Sequence, residues 1–392
     1  MMTRQRFLLS AATAMNVAGA NDRVRGAIIG SGGRGRFLTA EFKEIGVEMA
    51  AVCDVYEPNL AAGLRVASTG AKSFDNYKRL LDDKSLQVVV IATPDHWHAR
   101  MAIDAVEAGK DVYVEKPLAH AIDEGFAIVD AVKRTGRIVQ VGMQRRSYEV
   151  FQEAKQLMGT AEIGEVRHVN AWWYNRQDGL SSRQLEGKLD WKQWLGSAPA
   201  READAKRFFN WYYYYDYSGG LMVGQAAHVM DAIHWLRGIS YPSAVYACGV
   251  GTYPGAEVPA TTMMNVEYPE GVLANFAVGY NSMRYSGYLD QMKQFNGTKA
   301  RFDVWREGFA LYPEQPKATE LKSSQQRSAP GTFNSATRQH IRNFLECVQS
   351  RKQPNATVEM AQWTNVVLCM AVESLKSGKR ITYNAASRKA SA

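Results

Sequence analysis

From Val24 onward, short apolar runs alternate with segments of helical period, and most apolar runs close on a polar or glycine-rich turn. Val24–Gly30 reads as a strand ending in glycines, and Phe37–Ile45 as the helix after it. Val47–Cys53 predicts a second strand, and Glu57–Ala67 a second helix with Pro58 near its first turn, where a missing N–H is harmless. Tyr77–Leu81 has helical spacing, Gln87–Ala92 is a Val/Ile run typical of a strand buried on both faces, and His98–Ala108 is a helix stopped by Gly109. Asp111–Glu115, a helix around Glu124–Lys133 and Ile138–Gly142 complete the series. Strands alternating with helices, five of them delimited by apolar runs in a series of six, predict an α/β doubly wound parallel sheet with right-handed crossovers.

Beyond about residue 145 the texture changes. Glu149–Met158 is helical, Glu165–Tyr174 is strand-like, and a long aromatic and polar stretch then runs to Tyr217. Alternating runs between Tyr246 and Leu311, including Val272–Tyr280 after the turn Pro269-Glu270-Gly271, predict a large, open, mainly antiparallel sheet with one solvated face. Ser335–Gln349 and Val358–Ser377 return to amphipathic helix, with Gly378 as a stop. The expected organisation is a signal-like or arm segment at 1–21, a doubly wound domain at 22–145 and an α+β domain at 146–392 for substrate binding and oligomerisation, its last helices able to pack back on the first domain. At 392 residues the chain is long enough for two cores.

Composition adds exclusions. Hydrophobic residues make up 46% of the chain and charged ones 22%, which fits a globular protein and excludes a disordered or fibrous one. The net charge of +8 is spread among interleaved acids and bases with no basic stripe, so no nucleic-acid partner is expected. Short clusters such as Arg145-Arg146 read as solvated surface. Cys53, Cys248, Cys347 and Cys369 form no CxxC pair, so neither a metal site nor a disulfide framework is signalled, and all four read as free, buried thiols. Thr3-Arg4-Gln5-Arg6, Phe7-Leu8-Leu9 and Ala18-Gly19-Ala20 read as a targeting segment similar to a twin-arginine signal, with Gln5 where the second arginine belongs. Periplasmic export is the expectation and an ordered arm on a cytoplasmic enzyme the alternative. No segment reaches the ~18 uninterrupted apolar residues of a membrane helix.

Gly30-Ser31-Gly32-Gly33-Arg34-Gly35 fits G-x-G-x-x-G between a strand and a helix, the context in which backbone N–H groups and a helix N-terminus receive a pyrophosphate. This is the mark of a Rossmann domain. Asp54 closes the second strand 19 residues after Gly35 (54 − 35), where a carboxylate bonds the adenosine ribose and repels a 2′-phosphate. NAD is therefore expected over NADP, with Arg34 and Tyr56 leaving room for the latter.

Ala92-Thr93-Pro94-Asp95-His96-Trp97-His98 followed by Glu115-Lys116-Pro117 resembles the glucose–fructose oxidoreductase, inositol dehydrogenase and rhizopine catabolism (Gfo/Idh/MocA) family, over nearly the whole chain after Asn21. The resemblance implies that Thr93, Pro94 and His98 line the dinucleotide, that Glu115 sits near the nicotinamide ribose, that Lys116 and Gln144 belong to the cofactor site and that Lys116 also reaches the oxygen of the reacting carbon. An ammonium there stabilises developing alkoxide charge. The segment Gly219–Asp231 matches a second family stretch that commonly reads Asp-x-Gly-x-His, and places His228 as the base that accepts the hydroxyl proton. Where relatives carry the aspartate four residues earlier, this chain has Gly224, so either Gln225 or a residue of another segment orients the imidazole, or the proton relay differs. His234 and Asp231 read as structural, with Asp231 also a candidate substrate contact.

Trp172-Trp173-Tyr174 and Trp211–Tyr217 are dense in aromatics, which stack on sugar rings as readily as they build a core or an interface. The second cluster is expected nearer the site. Candidate substrate contacts are Tyr174, Arg176, Tyr215, Gln225 and Asp231, and Leu189–Gly196 is assigned no chemistry. The expected reaction is hydride transfer between a secondary alcohol of a sugar or cyclitol and NAD in a homo-oligomer built through the second sheet. The alternatives are an NAD-dependent glycoside hydrolase that oxidises its sugar transiently, and a cofactor-bound sensor without catalysis.

Overall fold

The computed structural model describes residues 23–175, 179–279, 291–315 and 322–392. The expectations for residues 1–21 and for Arg176 lie outside them.

The first domain is a six-stranded parallel sheet of β1 (Arg25–Ile29), β2 (Glu48–Cys53), β3 (Lys72–Phe74), β4 (Val88–Ile91), β5 (Asp111–Val114) and β6 (Val139–Val141), in the order β3-β2-β1-β4-β5-β6. Order reverses between β1 and β4, so a crevice opens at their carboxyl ends, the usual ligand position in such sheets. Helices α1 (Gly33–Glu44), α2 (Glu57–Val66), α3 (Tyr77–Leu81), α4 (His98–Glu107) and α5 (Ile122–Thr135) cover the faces. The central strands are apolar throughout because both faces are buried: Val88, Val89, Val90 and Ile91 are inaccessible to solvent. β3 was not delimited by any apolar run. It is a three-residue edge strand, largely exposed, and carries no such pattern.

The second domain begins with α6 (Glu149–Met158) and β7 (Val166–Tyr174), followed by the short helices α7 (Trp191–Leu195) and α8 (Ala205–Phe209) and the long helix α9 (Gly220–Arg237). Its ten-stranded sheet adds β8 (Ala244–Thr252), β9 (Pro259–Tyr268), β10 (Val272–Gly279), β11 (Gln291–Gly297), β12 (Ala300–Trp305), β13 (Gly308–Pro313) and β14 (Gln325–Ser328). After α10 (Ser335–Ser350) and α11 (Val358–Ser377), β15 (Ile381–Asn384) and β16 (Lys389–Ser391) complete it. The order is β14-β13-β12-β11-β7-β10-β9-β8-β15-β16, antiparallel except where β7 runs parallel to β10. One face of this sheet packs on α6, α9 and α11; the other leaves Tyr246, Val250, Met263 and Leu273 exposed. Ile341 and Phe344 of α10 pack with Leu38, Phe42 and Tyr113 of the first domain.

Two expectations are corrected. Arg145 and Arg146 are not solvated surface: both are buried, Arg146 in an ion pair with Asp231 at 2.8 Å and Arg145 donating to Gln291 Oε1 at 2.5 Å. Charge alone suggested exposure, but the partners come from α9 and β11, far along the chain. Of the four thiols, Cys53 and Cys347 are buried, Cys369 is half-buried, and Cys248 is exposed on the outer face of the second sheet.

Candidate active site

The glycine loop is shaped by close approach. Gly30 has a φ of +85°, and a Cβ there would meet the Ala92 carbonyl oxygen at 2.7 Å; a Cβ on Gly35 would lie 1.9 Å from Gly30 O. Gly32 and Gly33, by contrast, face open space, and Gly32, the residue before α1, offers no side-chain cap, which leaves the first N–H groups of the helix available to an anion. Asp54 is held at the end of β2, its Oδ2 accepting from the Ser31 amide at 2.7 Å and its Oδ1 from the Tyr56 amide at 2.9 Å. Gly30, Gly32, Gly33, Arg34, Asp54, Thr93 and Pro94 all border one cavity of about 340 Å³.

The polar groups around this loop fit a dinucleotide. Thr93 Oγ1 and Gln144 Oε1 are buried with no hydrogen-bond partner among the described residues, as expected of groups that await one. Glu115, at the end of β5, accepts from Arg34 Nε at 2.7 Å and from the Lys116 amide at 3.1 Å, so Arg34 bridges the loop to the lysine turn. His98 stands behind the cavity rather than in its lining. It is buried, with ring nitrogens 2.7 Å from Pro117 O and 3.0 Å from Thr93 O, and so ties the β4 turn to the β5 turn.

Lys116 joins the two domains: its Nζ donates to the Gly224 carbonyl of α9 at 3.2 Å. Burial pushes its ammonium below the ordinary lysine range, and Glu115 and Asp95 oppose that shift. His228 lies one turn further along α9. Its pKa is pushed well below the ordinary value, first by burial and then by the cations Arg145, Lys116, Arg34 and Lys293, so at neutral pH the imidazole is uncharged. Its Nδ1 has no hydrogen-bond partner among the described residues, and its ring lies 6.3 Å from that of Trp173.

At Gly224 the structure shows what the sequence left open. A Cβ at this position would overlap the Tyr212 hydroxyl, only 1.7 Å away, so that phenol occupies the space of the missing side chain. Sequence reasoning missed Tyr212 and Trp173 as site residues. The glycine itself was the available signal for the first, since a residue without a side chain marks a place where something else approaches.

Other candidates are placed elsewhere. Tyr174 follows Trp173, and strand alternation sets it on the opposite face of the sheet. Tyr215 faces a separate depression bordered by Asp123, Glu373 and Lys376. Asp231 is buried in its ion pair with Arg146. Gln225 is half-buried on α9 beside Gly224. The Trp211–Tyr217 stretch divides: Trp211 borders the loop cavity, Tyr212 reaches Gly224, Tyr213 packs on Tyr253, and Tyr214 and Tyr217 join a core with Tyr56 and Trp194.

Fold and site together define a two-domain α/β oxidoreductase with a dinucleotide-binding first domain. A model of the oxidoreductase family with an NAD-binding Rossmann fold matches residues 24–143, and the GFO/IDH/MocA C-terminal domain matches residues 151–303. The chain belongs to the Gfo/Idh/MocA oxidoreductase family. It is 34% identical to inositol 2-dehydrogenase of Salmonella typhimurium over 131 residues, which span 33% of this chain and 39% of that protein. It is also 31% identical to alpha-N-acetylgalactosaminidase of Shewanella oneidensis over 163 residues, or 38% of this chain and 35% of the other. These alignments thus span less than half the length of either relative. Levoglucosan dehydrogenase, solved with NADH and levoglucosan, shares the fold over 92% of this chain and 99% of its own, with a TM-score of 0.74 and 18% identity.

Proposed function

We propose that this protein transfers hydride between a secondary alcohol of a sugar, sugar derivative or cyclitol and NAD. The observation that carries the reading is the contact of Lys116 Nζ with Gly224 O, which brings an ammonium from the dinucleotide domain to the helix that bears the neutral His228. The free amides at the start of α1 would hold the pyrophosphate, Asp54 the adenosine ribose, and Thr93, Glu115 and Gln144 the nicotinamide end. NAD held there would supply the acceptor for the hydride of the carbinol carbon. Lys116 polarises the substrate oxygen and stabilises its developing charge, while His228 takes the hydroxyl proton, for which an uncharged imidazole is required. The carboxylate at Asp54 favours NAD over NADP. The exposed apolar residues of the second sheet support a homo-oligomer assembled through that face.

The test is NADH formation, followed by its absorbance, with a panel of sugars and cyclitols. Net NADH with at least one polyol, cut by about a hundredfold or more in Lys116→Ala, supports the reading; either no turnover with any of them, or full turnover in the variant, rejects it. A second reading is favoured by the absent carboxylate at Gly224 and the likeness to a glycosidase. In it the sugar is oxidised only transiently, and aryl glycosides would release aglycone without net NADH.

A further inference from the structure

The loop cavity has a second wall that does not come from the dinucleotide domain. Arg183, Gln193, Trp194, Phe208, Phe209 and Trp211, all from the segment between β7 and α9, face the glycine loop and Asp54 across it. Glu115, Gln144 and His228 are not in its lining, so this is the end of the crevice remote from the chemistry.

The segment is fastened to the first domain as a strap. Asp190 N donates to Val55 O at 2.9 Å, Glu57 N to Lys188 O at 2.9 Å, and Glu186 N to the Tyr56 hydroxyl at 2.9 Å. Trp97 Nε1 donates to Trp194 O at 2.8 Å, and Ser218 Oγ to the buried Asp95 at 2.5 Å. Beneath the strap, Tyr56 packs against Phe208 with ring centroids 4.9 Å apart, and Trp194 against Tyr217 at 4.7 Å. Phe209 and Trp211 are only half-buried although the core around them is dense, and the Arg183 guanidinium lies 4.3 Å from the Phe209 ring. A π-face and a cation thus remain directed at the cavity beside the ribose-binding carboxylate, which is a recognisable arrangement for a purine.

We infer that Phe209, Trp211 and Arg183 of the second domain form the nucleoside half of the dinucleotide site, so that release of the cofactor depends on the strap. The inference rests on the dinucleotide reading above and adds who holds its purine end. It assigns to the strap a role in cofactor retention, whereas Lys116 and His228 act at the other end.

The experiment uses the full chain with ADP-ribose and NADH as probes. ADP-ribose affinity is read by calorimetry, and NADH release by energy transfer from the cavity tryptophans after displacement with excess NAD. Phe209→Ala and Trp211→Ala are expected to weaken ADP-ribose binding and to speed NADH release by about tenfold each. Binding of nicotinamide mononucleotide should stay unchanged, and Trp211→Phe should restore most of the loss. Arg183 is exposed, so Arg183→Met keeps the core intact and should weaken ADP-ribose a few-fold. Variants that melt like the parent yet bind ADP-ribose and release NADH within twofold of it would overturn the strap assignment alone. A parent protein that binds neither ADP-ribose nor NAD would instead remove the dinucleotide reading, and this inference with it.

Discussion

The two walls of the crevice are built from different materials. On the dinucleotide side the working groups are backbone: glycines that permit a turn, uncapped helix N–H groups, and Asp54 fixed by two amides. On the α9 side they are side chains, His228 above all, whose pKa is depressed first by burial and then by Arg145, Lys116, Arg34 and Lys293, of which Lys116 and Arg34 reach in from the dinucleotide domain. A backbone site is specified by local spacing and tolerates a change of neighbours. A side-chain site is specified by distant elements, and each member's chemistry is set by the others.

That contrast is tested most severely at Lys116, where the walls meet. Lys116→Ala should lower kcat by about 10²–10³-fold, as the loss of one preorganised group facing an oxyanion does, while NAD affinity stays nearly constant. A comparable fall in NAD binding would mean that the lysine belongs to the backbone wall instead. Asp54→Ser probes that wall from the other end: it should shift the NAD-to-NADP preference by about 10–100-fold, read as the ratio of kcat/KM values, without altering the pH profile.

Tyr212→Phe comes next, with an expected fall of about tenfold in kcat. Its hydroxyl stands at Gly224, in the turn between the Lys116 contact and His228. An aspartate introduced at Gly224 should fail alone, because its Cβ would collide with that phenol, and should recover activity only when combined with Tyr212→Ala. Parent-like kcat in Tyr212→Phe would show that the phenol merely fills space, and equal activity of the single and double Gly224 variants would show that it does not obstruct that position.

The same division explains what was legible beforehand. The glycine loop, Asp54 and the strands around them follow from periodicity and spacing, because each is determined within about thirty residues, and α6 and α11 begin and end where their apolar spacing predicted. Lys116 and His228 were accessible only through resemblance to a motif. Tyr212 was signalled only indirectly, by the missing side chain at Gly224, since its role depends on a helix packed over it, and the six aromatics of its stretch gave the same local signal while facing five different environments. Arg145-Arg146 misled for a related reason: a pair of arginines reads as surface unless Asp231 and Gln291 are known to lie beside it.

The smallest effect is also the most diagnostic of a charge-coupled wall. His228 is an imidazole whose folded pKa lies below the unfolded value near 6.5, so oxidation should persist at pH values below 6.5 and fall only where His228 becomes protonated. Arg145→Gln removes the largest of the cationic contributions, so the acidic limb of kcat/KM should move upward, toward 6.5 and not beyond it. Acid unfolding has to be separated from this limb. His96 and His234 are pushed down to about 3 and His340 to about 4 by burial, so the unfolded chain binds more protons than the folded one below pH 6.5. Stability therefore declines as pH falls from about 6.5 toward 4, and Tm measured across that range marks the lowest pH at which the rate profile is meaningful. These three imidazoles are titrated by burial far more than by Arg145, so the variant should leave the pH dependence of Tm in place while shifting the kinetic limb. If both moved together, the kinetic shift would report loosened packing around α9 rather than the field at His228.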